Sequence, residues 1–194
     1  MKSALIALMV LALAIPAFAG QNPNVQAFVS FDPDCLTGPY VHRTESMGGV
    51  VDIYVVLDCF GDGGGVRTLS CTFTTSGFGM AFAPTYYLAD AQVIGGPDHP
   101  DGWVIASPVC TYPNECGIVV VLNQPYFVTG PGTVTLGANP VDGKMVVDCN
   151  FDADFFCVLA NGGLGCDPPA GDAGCECEVS PVEDATWGSI KSLY

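Results

Sequence analysis

Apolar residues fall in short alternating or β-branched runs along this chain and no stretch of ten residues before Pro181 carries a convincing 3.6-residue period, the pattern of strands rather than helices. Residues 24–31 place Val25, Ala27, Val29 and Phe31 on one face and Asn24, Gln26 and Ser30 on the other, which predicts a half-buried strand. Residues 50–57 read Val-Val-Asp-Ile-Tyr-Val-Val-Leu, and this β-branched run predicts a second, more deeply buried strand. The glycine-rich stretch Phe60-Gly61-Asp62-Gly63-Gly64-Gly65 follows, and the chain resumes as a strand over 66–74, so the pair predicts a hairpin with a long loop. Further strands are expected at 91–94, 103–106, 117–122, 126–128 and 132–136, with 145–151 returning through 155–159. Short strands broken every 8 to 12 residues by Gly, Pro or Asp predict an all-β body, an antiparallel β-sandwich of immunoglobulin-like or cohesin-like type.

The two ends depart from this pattern. Met1-Lys2 is a short basic start, residues 4–15 are almost unbroken apolar, and Ala17-Phe18-Ala19 has the small-x-small form that signal peptidase cleaves. Residues 1–19 therefore read as a signal peptide, with the mature chain starting at Gly20 and the sandwich occupying 20–160. Residues 161–180 are rich in Gly, Pro and Cys and read as an irregular linker. Ser180-Pro181-Val182-Glu183 resembles a capping box with Pro at the first helical position, which predicts a short amphipathic helix in the tail 181–194. Trp187, Ile190, Leu193 and Tyr194 fall on one side of it. So short a helix does not hold in water alone, so the tail is expected to dock through those four residues on a partner or on the body, or else to stay mobile.

Export changes how the ten cysteines are read. In an oxidising compartment Cys35, Cys59, Cys71, Cys110, Cys116, Cys149, Cys157, Cys166, Cys175 and Cys177 are expected to be bridged, stapling the sandwich. Cys149–Cys157 across the last hairpin and Cys110–Cys116 around Thr-Tyr-Pro-Asn-Glu are the expected pairs, while Cys175 and Cys177 are too close to bond each other. There is no C-x-x-C, and neither His42 nor His99 has a probable ligand nearby in sequence, which argues against structural zinc.

Charge narrows the partners. Five Lys and Arg stand against 20 Asp and Glu, a net of −15, and loss of Lys2 with the leader removes one more cation. Phosphate binding needs clustered Lys and Arg, so nucleic acid is excluded and anionic membrane surfaces are disfavoured. No second apolar run is long enough to span a bilayer. Asp58, Asp62, Asp98, Asp101, Asp148, Asp152 and Asp154 gather in predicted turns. They could serve calcium, but none follows the calcium-loop spacing, and turn aspartates more often cap backbone amides, so no metal site or cofactor is assigned. G-x-S-x-G and H-E-x-x-H are absent, and no enzyme activity is assigned. Tyr86, Tyr87, Trp103 and Tyr126 read as core residues of a sandwich rather than a ligand platform.

The segment Ala27-Phe-Val-Ser-Phe-Asp-Pro-Asp, the strand Val51-Asp-Ile-Tyr-Val-Val-Leu-Asp and the ending Val182-Glu-Asp-Ala-Thr-Trp-Gly-Ser-Ile-Lys-Ser-Leu-Tyr194 resemble a group of uncharacterised secreted bacterial proteins. These carry a signal peptide, a cysteine-containing β-rich domain and a terminal T-W-G-x-I-K-x-L-Y tail. A basic residue follows the tyrosine in that group and is absent after Tyr194. The resemblance brings no activity with it; the sequence-specific tail, joined to the body through a Gly- and Pro-rich segment, leads to the expectation of a secreted, periplasmic or surface-displayed protein without catalysis, whose tail serves attachment, sorting or assembly with a protein partner or with itself. A carbohydrate- or calcium-binding module is the alternative expectation, and an acid-catalysed hydrolase a third.

Overall fold

The structure, a computed structural model, describes residues 22–34, 42–77 and 79–175. Among these residues there are strands and turns and no helix, as the two-residue period requires. The strands are β1 (Gln26–Ser30), β2 (Arg43–Thr44), β3 (Gly49–Val51), β4 (Tyr54–Asp58), β5 (Val66–Ser76), β6 (Met80–Ala81), β7 (Thr85–Tyr86), β8 (Gln92–Gly95), β9 (Trp103–Thr111), β10 (Val119–Asn123), β11 (Tyr126–Val128), β12 (Gly132–Gly137), β13 (Met145–Val147), β14 (Ala153–Phe155), β15 (Cys157–Ala160) and β16 (Gly162–Leu164).

One layer is a five-stranded sheet of order β15-β1-β4-β10-β7. A three-stranded sheet, β3-β11-β6, extends it, because β3 runs into β4, β10 into β11 and β6 into β7 after short bends. The other layer has the order β14-β13-β5-β12-β16-β2, with β9 and then β8 added along the opposite side of β5. Alternation places Ala27, Val29, Val55 and Leu57 of the first layer against Leu69, Phe73, Ile105 and Val146 of the second in one core. Trp103 joins the layers: fully buried on β9, it meets Phe73 of β5 at 5.7 Å and Tyr86 of β7 at 6.0 Å, both edge-on. Burying an indole of that size contributes on the order of 5 kcal/mol.

Several expectations are corrected by this topology. Residues 50–57 and 66–74 do not form a hairpin. β4 already has β1 and β10 as neighbours, so the chain crosses to the other layer and β5 faces β4 through the core. The crossing loop fits because Gly65 has no side chain: a Cβ there would lie 2.7 Å from the Cys149 sulfur. The expected return through 155–159 also divides. β13 and β14 make a short hairpin, Phe156 turns into the core, and β15 leaves for the first layer to pair with β1. That pairing is parallel, as is β16 with β2, so the sandwich is mainly but not wholly antiparallel. The expected linker is part of the body up to Cys175, since Gly162–Leu164 is a buried strand against β12 and Asn161 accepts from Leu136 N–H while donating to Ala170 C=O.

The cysteines follow the crossings. Cys110 bonds Cys149 with Cα atoms 5.4 Å apart, and Cys157 bonds Cys175 at 5.7 Å, in place of the expected Cys149–Cys157 and Cys110–Cys116. Cys149 stays with the β13–β14 turn while Cys157 has moved to the opposite layer, which separates the pair that local symmetry suggested. Cys59 and Cys116 each take part in a disulfide. Cys71 and Cys166 are free thiols, so bridging of all ten is also corrected. The expected terminal helix, Cys35 and Cys177 lie outside the described residues.

Candidate interaction surfaces

The turn aspartates are placed to serve the backbone. Asp98 accepts from Thr75 N–H and Oγ–H at 2.6 and 2.7 Å, Asp148 from Asn150 and Asp152 N–H at 2.8 and 2.9 Å, and Asp154 from Asn22 N–H at 2.9 Å. Asp58 accepts from Cys59 N–H, and Asp101 N–H donates to His99 Nδ1. Among the described residues, no three His, Cys, Asp or Glu side chains come together as a metal-binding group. His42 packs edge-on against Phe28 at 5.4 Å. Trp103 and Tyr126 are core residues and Tyr86 is half-buried, whereas Tyr87 is exposed. Trp187, Ile190, Leu193 and Tyr194 lie outside the described residues.

Register identifies what the larger layer shows to solvent. Val93, Ile105, Leu69, Val146 and Asp154 form one row across β8, β9, β5, β13 and β14, pointing inward. The neighbouring row is Ile94, Val104, Ser70, Met145 and Phe155, and it points outward because successive side chains take opposite faces. Ile94 is 74% exposed and Phe155 70%. Ser70, at the centre, is covered by the 139–143 turn and donates to the Asp142 carboxylate at 3.2 Å.

The smaller sheet carries a second row. Val50 on β3, Phe127 on β11 and Met80 on β6 are direct cross-strand partners, and all three are exposed, at 60%, 44% and 62%. Their chain neighbours Val51, Tyr126 and Val128 take the opposite face and are buried in the core. Phe82, two residues beyond Met80, is also exposed. Buried Gln124 sits where the strands bend: its N–H donates to Ile53 C=O at 2.7 Å, and its Nε2 donates to Phe82 C=O at 2.7 Å and Pro125 C=O at 3.1 Å. One residue, through its backbone N–H and its side-chain amide, thus ties the three bends that aim this sheet. Gly79 lets β6 approach, since a Cβ there would fall 2.0 Å from the Phe127 carbonyl oxygen.

Electrostatics around these rows is one-sided. The described cations are all engaged: Arg43 with Glu45 and Asp167, Arg67 with Pro108 C=O and the Phe151 ring, and Lys144 with Asp172. Partial burial pushes the Asp172 carboxyl up, but the Lys144 ammonium and the Val158 N–H outweigh it and hold it below the usual range. Burial, then the Asp52 carboxylate, the Tyr87 phenol and the Asp32 carboxylate, raise the Tyr54 phenol beside the smaller sheet. Burial alone pushes the Cys71 thiol up to about 12.

Sequence periodicity missed Ile94, Phe155, Val50, Phe127 and Met80 as surface residues because it defines two faces without saying which is covered. A signal was present. Tyr126-Phe127-Val128 and Trp103-Val104-Ile105 are consecutive apolar residues within strands and Phe155-Phe156 lies at a strand end, so each run puts an apolar side chain on both faces of its sheet.

No known protein family matches the chain, and no curated protein matches it. Among solved structures, it is similar to a cohesin module from the Clostridium perfringens ATCC13124 family 33 glycoside hydrolase, with a TM-score of 0.52 and 7% identity over 76% of this chain and 99% of that one. At that identity the likeness concerns the fold, an all-β cohesin-like sandwich.

Proposed function

We propose that this chain is a secreted or surface-associated, non-catalytic interaction module, with the tail 181–194 serving docking, sorting or assembly. The observation that carries the reading is the outward row Ile94, Val104, Met145 and Phe155 on β8, β9, β13 and β14 of a disulfide-stapled layer, whose ends Ile94 and Phe155 stand largely in water while Val104 and Met145 are half-buried beside the turn that covers Ser70. The cohesin-like fold supports a module that binds rather than catalyses. Export is supported by the leader-like residues 1–19 and by the disulfides, and no helix among the described residues is long and apolar enough to cross a membrane.

The test is co-purification from native cells using wild type, an Ile94→Thr/Phe155→Thr variant and a chain ending at Ser180. A partner held by wild type should be lost from the double variant, and the shortened chain should melt as wild type does yet change location. Retention of the same partner by the double variant would remove the surface from the proposal. Unfolding of the shortened chain would show the tail to be ordinary core.

A further inference from the structure

We infer that the row Val50, Phe127 and Met80 is a second docking site, and that its occupant is a polypeptide whose apolar side chains are flanked by Lys and Arg. The row lies on the smaller sheet, apart from the Ile94–Phe155 row.

Its geometry suits a side-chain anchor. Three strands about 4.8 Å apart give an apolar row roughly 10 Å across, which matches two or three side chains on one face of a helix or strand. Val50, Phe127 and Met80 differ in shape, and the flexible Met80 thioether can repack around an inserted side chain. The platform is held in place from behind by Gln124, which hydrogen-bonds Ile53, Phe82 and Pro125, and by the core residues Val51, Tyr126 and Val128. An apolar row held on this support loses little entropy when it is covered.

Charge selects the occupant. A second copy of the chain brings the same net −15, and the described cations are already engaged with carboxylates, carbonyls or an aromatic ring. The chain's own tail offers Trp187, Ile190, Leu193 and Tyr194, but Glu183 and Asp184 stand there against Lys191 alone. A partner with Lys and Arg around its apolar residues meets attraction instead. Asp52 lies two positions from Val50 and is exposed, and its carboxylate and that of Asp32 already act on Tyr54 nearby.

Calorimetry on the full mature chain, at physiological and at high salt, tests this with three synthetic amphipathic peptides of equal length, built from Lys and Leu, Glu and Leu, or Lys and Ser. The Lys/Leu peptide should bind at least tenfold more tightly than either control and weaken as salt rises. The variant Val50→Thr/Phe127→Thr/Met80→Thr should lose at least tenfold, while Ile94→Thr/Phe155→Thr should bind as wild type does. That last arm separates failure here from failure of the larger surface. If the triple variant unfolds, Val50→Thr and Met80→Thr singly take its place, since both side chains are mostly in solvent. Equal binding of Lys/Ser would reduce the effect to bulk charge and overturn the inference. So would equal binding of Glu/Leu, tighter binding of a 181–194 peptide, or a wild-type dimer that the triple variant dissolves.

Discussion

Replacing Gln124 separates a hydrogen-bonding clamp from a side chain that only fills space. Gln124 is fully buried, its Nε2 donates to Phe82 and Pro125 C=O, and its Oε1 has no partner among the described residues. Gln124→Met keeps the length and removes both donors. Two such bonds contribute about 1–3 kcal/mol, and losing the unpaired Oε1 returns part of that, so a loss of about 1–2 kcal/mol is expected. Gln124→Glu is harsher, because a carboxylate would face two carbonyl oxygens with no donor between them. Its folded-state pKa must rise above the unfolded value of about 4.3. Below that pH the side chain is protonated in both states and its O–H can still donate one bond. As pH rises toward the folded pKa, the penalty grows by about 1.4 kcal/mol for each unit of elevation, then levels off. Urea unfolding of disulfide-intact protein at pH 4 and pH 7, read as the difference from wild type at each pH, should show Gln124→Met unchanged and Gln124→Glu much worse at pH 7. Amide exchange at Tyr126–Val128 should quicken in both. A Gln124→Glu difference that stays flat with pH, or a Gln124→Met loss under about 0.5 kcal/mol, would refute the clamp.

The Lys144–Asp172 pair gives a pH prediction from a pKa shift of opposite sign. Asp172 titrates below its ordinary value when folded, so its contribution is present above about pH 3.9 and fades as pH falls through the folded pKa. Its side chain is 37% exposed and screened by solvent, so Asp172→Asn should cost about 0.5–1 kcal/mol at pH 7 and nothing measurable near pH 2; a cost that persists in acid would contradict this. The two free thiols among the described residues should also differ. Maleimide labelling of native protein at pH 8, mapped by mass spectrometry, should modify half-buried Cys166 and leave Cys71 untouched until unfolding, because Cys71 is 2% exposed with its pKa pushed up to about 12. Equal labelling rates would contradict the burial of Cys71.

Local pattern determined a good deal of this molecule. Short apolar runs with Gly, Pro and Asp between them mark an all-β body and locate β1, β5, β8, β10, β11 and β12 closely, because each strand carries its own pattern, whereas the expected strand 50–57 breaks into β3 and β4, β9 runs on to Thr111 and β13 stops at Val147. The same local logic identifies Asp148 as an acceptor for the amides of its own turn, whereas Asp98 reaches Thr75 on another strand. Tertiary structure alone decided which strands became neighbours. β4 and β5 are joined by a loop that could close a hairpin or cross the core, and the edges of β4 were taken by β1, which precedes it, and by β10, which follows it by more than 60 residues. Cysteine pairing followed those crossings, since a disulfide needs Cα atoms within about 6 Å and only the assembled layers bring Cys110 to Cys149 and Cys157 to Cys175. The docking rows belong to the same class of fact. Val50, Phe127 and Met80 are 30 to 77 positions apart in sequence, and their common face exists only because β3, β11 and β6 pair in that register.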